Sequence, residues 1–221
     1  MRRLHTIFSL LLLILLLSCE NDPYETGDGY FSHMTTAFGE TCYDSQGRAY
    51  KFITDNDKSL NFISLLGNPN EKLADKTIRS LLFYNITEEK NTVEPYSISR
   101  ILTANVLEKK DLDKVITDPL KVEAVWMSPN EKYINFYLSI KTSTPEDESL
   151  RHKLGSVLES YDKGVANVRL IHDDGNIPGN YSVKMYFSIP MRSITDKVPD
   201  CTLVRINVMT FEGERTFDIK F

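Results

Sequence analysis

The sequence predicts an all-β protein in which an N-terminal OB-like small barrel (the oligonucleotide/oligosaccharide-binding type) is followed by a C-terminal antiparallel β-sandwich. Three observations support this prediction. Apolar and polar residues alternate with a period of two in many short runs, which is the pattern of half-buried strands. Clusters of Gly, Pro, Asn and Asp separate these runs at strand-length intervals. One charged stretch without alternation divides the chain into two β-rich parts.

The start of the chain has the layout of a lipoprotein signal. Two arginines precede an apolar run over residues 7–17 that is broken only by Ser9. The run is short for a membrane span and ends in Leu16-Leu17-Ser18-Cys19, which looks like the lipobox of bacterial lipoproteins. We therefore expect residues 1–18 to be a signal peptide and Cys19 to carry the lipid, so that the protein is attached to a membrane by acyl chains.

Residues 19–28 are predicted to be a polar tether. Glu20, Asp22 and Glu25 form an acidic cluster directly after Cys19. Such a cluster resembles the surface-export signal of lipoproteins in certain diderm bacteria, which favours a location in the outer membrane with the protein on the cell surface. The alternative is a disordered tether on the periplasmic face.

Residues 29–107 are predicted to form the OB-like barrel. Five runs have the composition of strands, at residues 30–38, 48–54, 59–66, 78–87 and 96–106. The turn Asp44-Ser45-Gln46-Gly47 joins the first two, and its glycine can adopt a positive φ. Five strands in roughly eighty residues suit a small closed barrel.

Residues 108–117 are predicted to be a linker, because they are charged and lead into Asp118-Pro119, where proline discourages a preceding helix. The β-sandwich is then expected over residues 118–221, with seven strands around a shared core. In its first strand Trp126 is in phase with Val122 and Ala124, which predicts that the indole lies in the core and does not act as a platform for sugars.

Three tyrosines of the sandwich are the better candidates for exposed aromatic side chains. Tyr137 and Tyr186 fall on the polar faces of their strands, and Tyr133 precedes one of these strands. The polar residues around them predict that these faces contact solvent.

The charge of the chain limits the classes of partner that it can bind, and its cysteines indicate buried positions. The formal net charge is −5, and it becomes −7 once the two arginines of the signal peptide are set aside. An acidic chain is repelled by phosphate backbones, so we expect no nucleic-acid partner. Cys42 and Cys201 lie far apart and are expected to be buried small apolar residues.

The candidate binding loop is His172-Asp173-Asp174-Gly175-Asn176. Two carboxylates and an amide are oxygen ligands of the kind that Ca²⁺ prefers, but the alternating acidic spacing of an EF-hand is absent. The alternative, which we favour, is a turn in which Asp and Asn side chains bind their own backbone. We expect no metal and no cofactor.

Catalytic motifs are absent from the sequence. The histidines have no HExxH spacing, and neither a GxSxG elbow nor a phosphate-binding glycine loop occurs. We therefore expect no enzyme, although a hydrolase site assembled from distant residues is an alternative.

Several of these segments together resemble the NigD-like family of bacterial lipoproteins. They are the lipobox at Cys19, Gly27-Asp28-Gly29-Tyr30, the hairpin over residues 47–57, Asp118-Pro119 with Val125-Trp126, the loop over residues 172–181, and the hairpin over residues 211–214. The resemblance implies an N-terminal OB-like barrel, a C-terminal β-sandwich and no established activity. The family name is associated with a bacteriocin operon.

The functional expectation is a lipid-anchored binding or interaction module whose ligand is a protein or a glycan. The alternative is an accessory or structural lipoprotein beside a bacteriocin-like or secretion system. Both expectations follow from the anchor and the β-domains, because a fold does not choose its ligand.

Overall fold

The computed structural model of the protein describes residues 34–144 and 151–221. The predicted signal peptide, Cys19 and the tether lie outside these residues. Within them the chain is all-β, with a closed barrel followed by a sandwich of two sheets, so the predicted fold class is confirmed. The described part of the chain has no helix with the length and apolar character that crossing a membrane requires.

Five strands close into the barrel: β1 Thr35–Tyr43, β2 Ala49–Thr54, β3 Ser59–Leu66, β4 Thr77–Ile86 and β5 Thr92–Arg100. Their order is β1-β2-β3-β5-β4, and the β3–β5 pair is parallel whereas the other neighbours are antiparallel. The inward side chains form a small core of Phe52, Leu60, Leu82 and Val93.

Nine strands of the described residues build the sandwich: β6 Leu102–Thr103, β7 Val106–Glu108, β8 Lys121–Met127, β9 Tyr133–Thr142, β10 Lys153–Asp162, β11 Val165–Asp173, β12 Tyr181–Pro190, β13 Leu203–Thr210 and β14 Gly213–Lys220. A 3₁₀ turn, Lys109–Asp111, follows β7, and the short helix α1, Arg192–Thr195, follows β12. One sheet has the order β14-β13-β11-β10-β7 and the other β6-β12-β9-β8. The sheets are not purely antiparallel, because β7, β6 and β13 each pair in parallel with a neighbour.

The two shortest strands, β6 and β7, belong to the sandwich, although the sequence placed residues 102–107 in the barrel. They pair with β12 and β10 respectively. Runs of two and three residues are too short to show alternation, so their pairing could not be predicted. The first barrel strand also lies later than expected, at Thr35–Tyr43, and the last one lies earlier, at Thr92–Arg100.

A bulge in β8 changes the side on which Trp126 lies. Val122 pairs with Leu138, but the register shifts at Glu123, so that Trp126 is opposite Asn135. One extra residue reverses the alternation of every side chain beyond it. Val125 and Met127 therefore pack against the core, whereas Trp126 faces the barrel, and the prediction that Trp126 lies in the core is wrong.

Part of the outer face of the β6-β12-β9-β8 sheet is covered by the barrel, whereas Lys141, Ser182 and Lys184 on the same face are exposed. The polar faces of β9 and β12 were expected to contact solvent, yet Asn135, Ser139 and Ser188 on these faces have exposed fractions of 1%, 8% and 1%. Arg79 of the barrel donates a hydrogen bond to Asn135 at 3.0 Å. Asn135 can thus be buried here because the barrel supplies a hydrogen-bond donor to its side-chain oxygen. Barrel and sandwich belong to one compact unit, Thr35–Phe221.

Both cysteines in the described part of the chain are free and buried, and the prediction that they are buried is confirmed. Cys42 lies in β1 of the barrel, and Cys201 lies just before β13 of the sandwich.

Candidate functional site at the barrel–sandwich junction

A cleft with a volume of about 390 Å³ opens where the barrel meets the sandwich, and we call it the junction cleft. Aromatic, amide, carboxylate and ammonium groups share its wall, and the principal ones are Phe38, Asp55, Asn56, Lys58, Tyr84 and Trp126. Trp126 is the one tryptophan of the chain and is partly exposed. A cavity of this size with a few polar groups on an aromatic wall is typical of small-ligand sites.

An aromatic cluster holds Trp126 in position from both domains. The ring of Phe38 in the barrel meets Trp126 edge to face at a centroid distance of 5.5 Å and meets Tyr186 in the same way at 4.9 Å. Tyr186 in turn stacks on Tyr137 at 4.8 Å. Tyr137 and Tyr186 are therefore packed in the junction, and the prediction that they are exposed is wrong. These geometries are the ones that aromatic pairs prefer.

A buried ion pair forms the floor of the junction. The Nη2 atom of Arg79 donates to Asp55 Oδ2 at 2.7 Å, and Nη1 donates to the second carboxylate oxygen. The same Nη2 reaches Asn135 Oδ1, which also accepts a hydrogen bond from Ser188 Oγ at 2.8 Å. The two side chains of the ion pair are only 2% and 10% exposed, so the contact between Arg79 and the Asp55 carboxylate is largely shielded from solvent in the wall of the cleft.

Tyr133 extends this network on the side away from the cleft. Its ring lies 4.3 Å from the guanidinium carbon of Arg79, and its hydroxyl donates to Glu40 Oε1 at 2.7 Å. Burial, followed by the hydrogen bond to Glu40, raises the pKa of Tyr133 above its ordinary range. Tyr133 is therefore half-buried in the contact between the domains, and the prediction that it is exposed is wrong.

The outer edge of the junction is closed by exposed polar contacts. Asp57 in the barrel accepts hydrogen bonds from Asn130 Nδ2 at 3.1 Å and from Lys132 Nζ at 3.0 Å. These two hydrogen bonds lower the pKa of Asp57, and the bond to Asp57 raises the pKa of Lys132. Exposed ion pairs of this kind contribute little to the free energy of unfolding. These contacts therefore orient the two domains at the edge of the junction but add little to its stability.

The residues of the barrel that build this cleft could not be predicted from the sequence. Phe38, Asp55 and Arg79 come from separate barrel elements, and their partners are more than twenty residues away. A local signal exists only for the turn that contains Asp55. Arg79 lies between Ile78 and Ser80 near the start of a predicted strand, and its charge in a strand is the one hint of a buried partner.

The predicted binding loop lies elsewhere, at the end of β11. The carboxylate oxygens of Asp118, Asp173 and Asp174 lie within 4.8 Å of one another. Three backbone N–H groups donate to them: Gly175 to Asp173 at 3.0 Å, Asn176 to Asp174 at 2.7 Å and Asp174 to Asp118 at 2.9 Å. The side chains thus form the self-bonded turn that was the favoured alternative. A ligand role for His172, Asp173, Asp174 and Asn176 stays a prediction.

His172 is buried at the base of this loop and forms a pair with His152. The two imidazole rings are nearly parallel, with centroids 5.3 Å apart, and His152 Nδ1 lies 3.1 Å from His172 Nε2. The remaining nitrogens contact Thr142 Oγ1 and the backbone oxygen of Asp118. The pair therefore connects β9, β11 and the segment that enters β8.

The fold and the junction cleft define a class of protein: a two-domain all-β protein in which an OB-like barrel is joined to a β-sandwich around a potential ligand cleft. A comparison with curated proteins finds no match. The family model "NigD-like C-terminal beta sandwich domain" matches residues 103–221, which is more than half of the chain. The chain belongs to the NigD-like family.

Solved structures of similar fold come from species of Bacteroides and Parabacteroides. A NigD-like immunity protein from Bacteroides caccae is 19% identical with a TM-score of 0.62, over 83% of this chain and 90% of that one. A provisionally named toxin-related protein from Parabacteroides distasonis is 15% identical with a TM-score of 0.64, over 85% and 93%. A provisionally named lipoprotein from Bacteroides fragilis is 11% identical with a TM-score of 0.59, over 85% and 98%. At these identities the likeness shows a shared two-domain fold.

Proposed function

We propose that this chain is a lipid-anchored, non-catalytic binding protein of the cell surface, and that its junction cleft binds a saccharide. The observation that carries the proposal is the position of Trp126, which the β8 bulge directs out of the core and into the cleft. An aromatic face complements the C–H groups of a sugar ring. The exposed amide of Asn56 and ammonium of Lys58 are suitable partners for its hydroxyl groups.

A binding role fits the charges of the cleft better than catalysis does. Asp55 is the carboxylate in its wall, and Arg79 engages both oxygens of that carboxylate. A general acid or base must bring an oxygen within hydrogen-bond reach of its substrate, and both oxygens of Asp55 already accept hydrogen bonds from Arg79. The described histidines, His152 and His172, line a different part of the molecule.

The saccharide proposal is tested by titrating the full chain with a panel of neutral and acidic oligosaccharides while recording tryptophan emission. Because Trp126 is the single tryptophan, any change in emission reports on the cleft. We expect a saturable change for at least one saccharide, and a loss of affinity of about tenfold or more in Trp126→Ala, which corresponds to about 1.4 kcal/mol.

Glycan-array binding supplies the matched comparison, since Trp126→Ala has no tryptophan emission. Tyr161→Ala removes an exposed aromatic side chain on β10 and should bind like the unchanged protein. Equal binding by the two variants, or emission that no saccharide changes, would contradict a saccharide site in this cleft.

The anchor is tested separately. Cys19→Ser should move the protein from the membrane fraction to the soluble fraction, whereas Cys42→Ser should not, because Cys42 is buried in the barrel. Protease treatment of intact cells should remove the protein if it is on the surface. Survival of the protein until the cells are lysed would place it on the periplasmic face instead.

An accessory role beside a bacteriocin-like system is the second candidate, and family membership is the observation that favours it. It predicts a protein ligand and no response to saccharides. Co-purification with envelope proteins, unchanged by Trp126→Ala, would favour this candidate over the first.

A further inference from the structure

We propose that the barrel has a second binding site, in which an extended polypeptide adds a strand along β3 beside an apolar cavity. The site shares no lining residue with the junction cleft and does not depend on the saccharide proposal. Its evidence comes from strand pairing, from exposed side chains and from the cavity.

The strand pairing of the barrel is incomplete at β3. On one side β3 pairs with β5 only through Asn61 with Thr92 and Phe62 with Val93. On the other side the β2–β3 register passes directly from Asn61 to Leu66. The intervening residues Ile63, Ser64 and Leu65 therefore have no register partner on either neighbouring strand. Backbone N–H and C=O groups that have no partner on a neighbouring strand are a template for another strand.

The side chains along this stretch are apolar and exposed. Ile63 is 54% exposed and Leu65 is 46% exposed, and Tyr50 on β2 is 43% exposed beside them. The edge strand β14 of the sandwich differs, because Glu214, Arg215, Asp218 and Lys220 place charges along it. Charges on an edge are a usual protection against added strands. The charges that protect β14 are thus absent from Ile63, Ser64 and Leu65 in the incompletely paired part of β3.

A cavity of about 480 Å³ lies at the end of the incomplete pairing. Leu66 of β3 and Ile98 of β5 line it together with Tyr43, Ala49 and Leu73. If the parallel register of β3 and β5 continued, Leu66 would be opposite Ser97, so the cavity occupies the space where the two strands separate. A side chain from a segment laid along β3 can enter it.

An extended polypeptide is the ligand that matches these features. It supplies N–H and C=O groups at strand spacing and an apolar side chain for the cavity, as in other cases of strand addition. A saccharide or a nucleic acid supplies neither in that spacing. A second copy of the chain fits less well, because three half-exposed side chains offer on the order of a few hundred Å², whereas a stable dimer buries about 800 Å² on each partner.

The test begins with an array of synthetic decapeptides of varied sequence, which is incubated with the full chain. The peptides that bind are then measured by fluorescence anisotropy. We expect binders with at least one large apolar residue. Ser64→Pro should weaken their binding about tenfold or more, because it removes a backbone donor, whereas Ser64→Ala should leave binding unchanged because the N–H remains. Leu65→Lys should also weaken binding.

Changes in the peptide keep the test independent of protein folding. A binder with N-methylated backbone amides should lose affinity for the unchanged protein if it binds as a strand. Failure of every peptide to bind would overturn the proposal. It would also be overturned if Ser64→Pro bound peptides as tightly as the unchanged protein does and N-methylated peptides bound as tightly as unmethylated ones. Three other results would overturn it as well. Loss of peptide binding in Trp126→Ala would place the peptide in the junction cleft, and a dimer that Leu65→Lys dissociates would make a second copy of the chain the occupant. A gain in peptide affinity when residues 20–33 are deleted would make that segment the occupant.

Discussion

Arg79 is the side chain on which the junction depends most. Replacing it with alanine leaves the carboxylate of Asp55 buried without its partner, and breaking a buried pair in this way costs about 3–5 kcal/mol. We expect Arg79→Ala to lower the free energy of unfolding by about that amount, measured by urea denaturation.

Arg205 provides the matched control. It forms a two-pronged pair with Asp218 on the surface, with both side chains more than 40% exposed. Arg205→Ala should change the free energy of unfolding far less than Arg79→Ala does, because solvent screens an exposed ion pair. Equal losses in the two arginine variants would show that the ion pair of Arg79 is not the element that holds the junction.

When both imidazole rings are neutral, one assignment of protons satisfies the contacts that join His152, His172, Asp118 and Thr142. His172 Nδ1–H donates to the Asp118 carbonyl, so His172 Nε2 accepts from His152 Nδ1–H, and His152 Nε2 accepts from the Thr142 hydroxyl. Both rings are neutral in this arrangement.

The histidine pair predicts a pH dependence of stability. Burial, and then the neighbouring His172, lower the pKa of His152 below its ordinary value of 6.5, although Asp174 and Asp173 oppose this. The unfolded chain therefore binds more protons than the folded one between the two pKa values. The contribution of His152 to stability is complete above about pH 6.5 and is lost as the pH falls through that value towards the lower folded pKa.

Urea unfolding at pH 7.5 and at pH 5.5 tests this prediction. The carboxylates with lowered pKa values, such as Asp173 and Asp218, titrate below this range, so their loss of stability comes later. His152→Gln should reduce the difference between the two pH values. A difference of the same size in that variant would assign the effect to other groups.

At the scale of elements, the turn before β2 depends on Gly47. Its φ is 75°, and a Cβ atom built there would lie 1.9 Å from the carbonyl oxygen of Asn70. Gly47→Ala should therefore cost more than about 1 kcal/mol of unfolding free energy. Gly67→Ala is the control, because Gly67 has a φ of 91° but open space around it. The difference between the two variants measures the clash, and no difference would mean that the segment around Asn70 moves away easily.

The elements were the part of the structure that the sequence predicted best. Alternation identified strands such as β9 and β12 because each has one face on the sandwich core. It failed for Trp126, since a bulge changes side-chain phase without changing composition. Nothing in Glu123 or its neighbours marks that bulge, because the extra residue is specified by the pairing with β9.

At the scale of the whole molecule, the junction predicts that barrel and sandwich unfold together. Phe38 contacts Trp126 and Tyr186 across the junction, and Arg79 bonds to Asn135. We expect calorimetry of the unchanged protein to show a single transition. Phe38→Ala should separate it into two transitions, because it removes the aromatic contact while leaving each core intact. Phe62→Ala, inside the barrel, should lower stability without separating the transitions, and two transitions in the unchanged protein would contradict the prediction.

The junction itself could not be predicted from the sequence. The polar face of β9 has the same pattern whether it meets water or the barrel, and the difference depends on Arg79, which is 56 residues away from Asn135. The candidate cleft is therefore a property of docking two domains, whereas the predicted loop at His172 was visible because its residues are adjacent in the chain.

The two buried thiols can report separately on the local opening of the barrel and of the sandwich. Cys42 lies in the barrel and Cys201 in the sandwich, and both are free. An alkylating reagent can reach each sulfur only while the surrounding strands are open, so each labelling rate measures the local opening of its own domain. If the barrel opens to admit a guest strand, Cys42 should react sooner than Cys201, and a bound peptide should slow Cys42 alone.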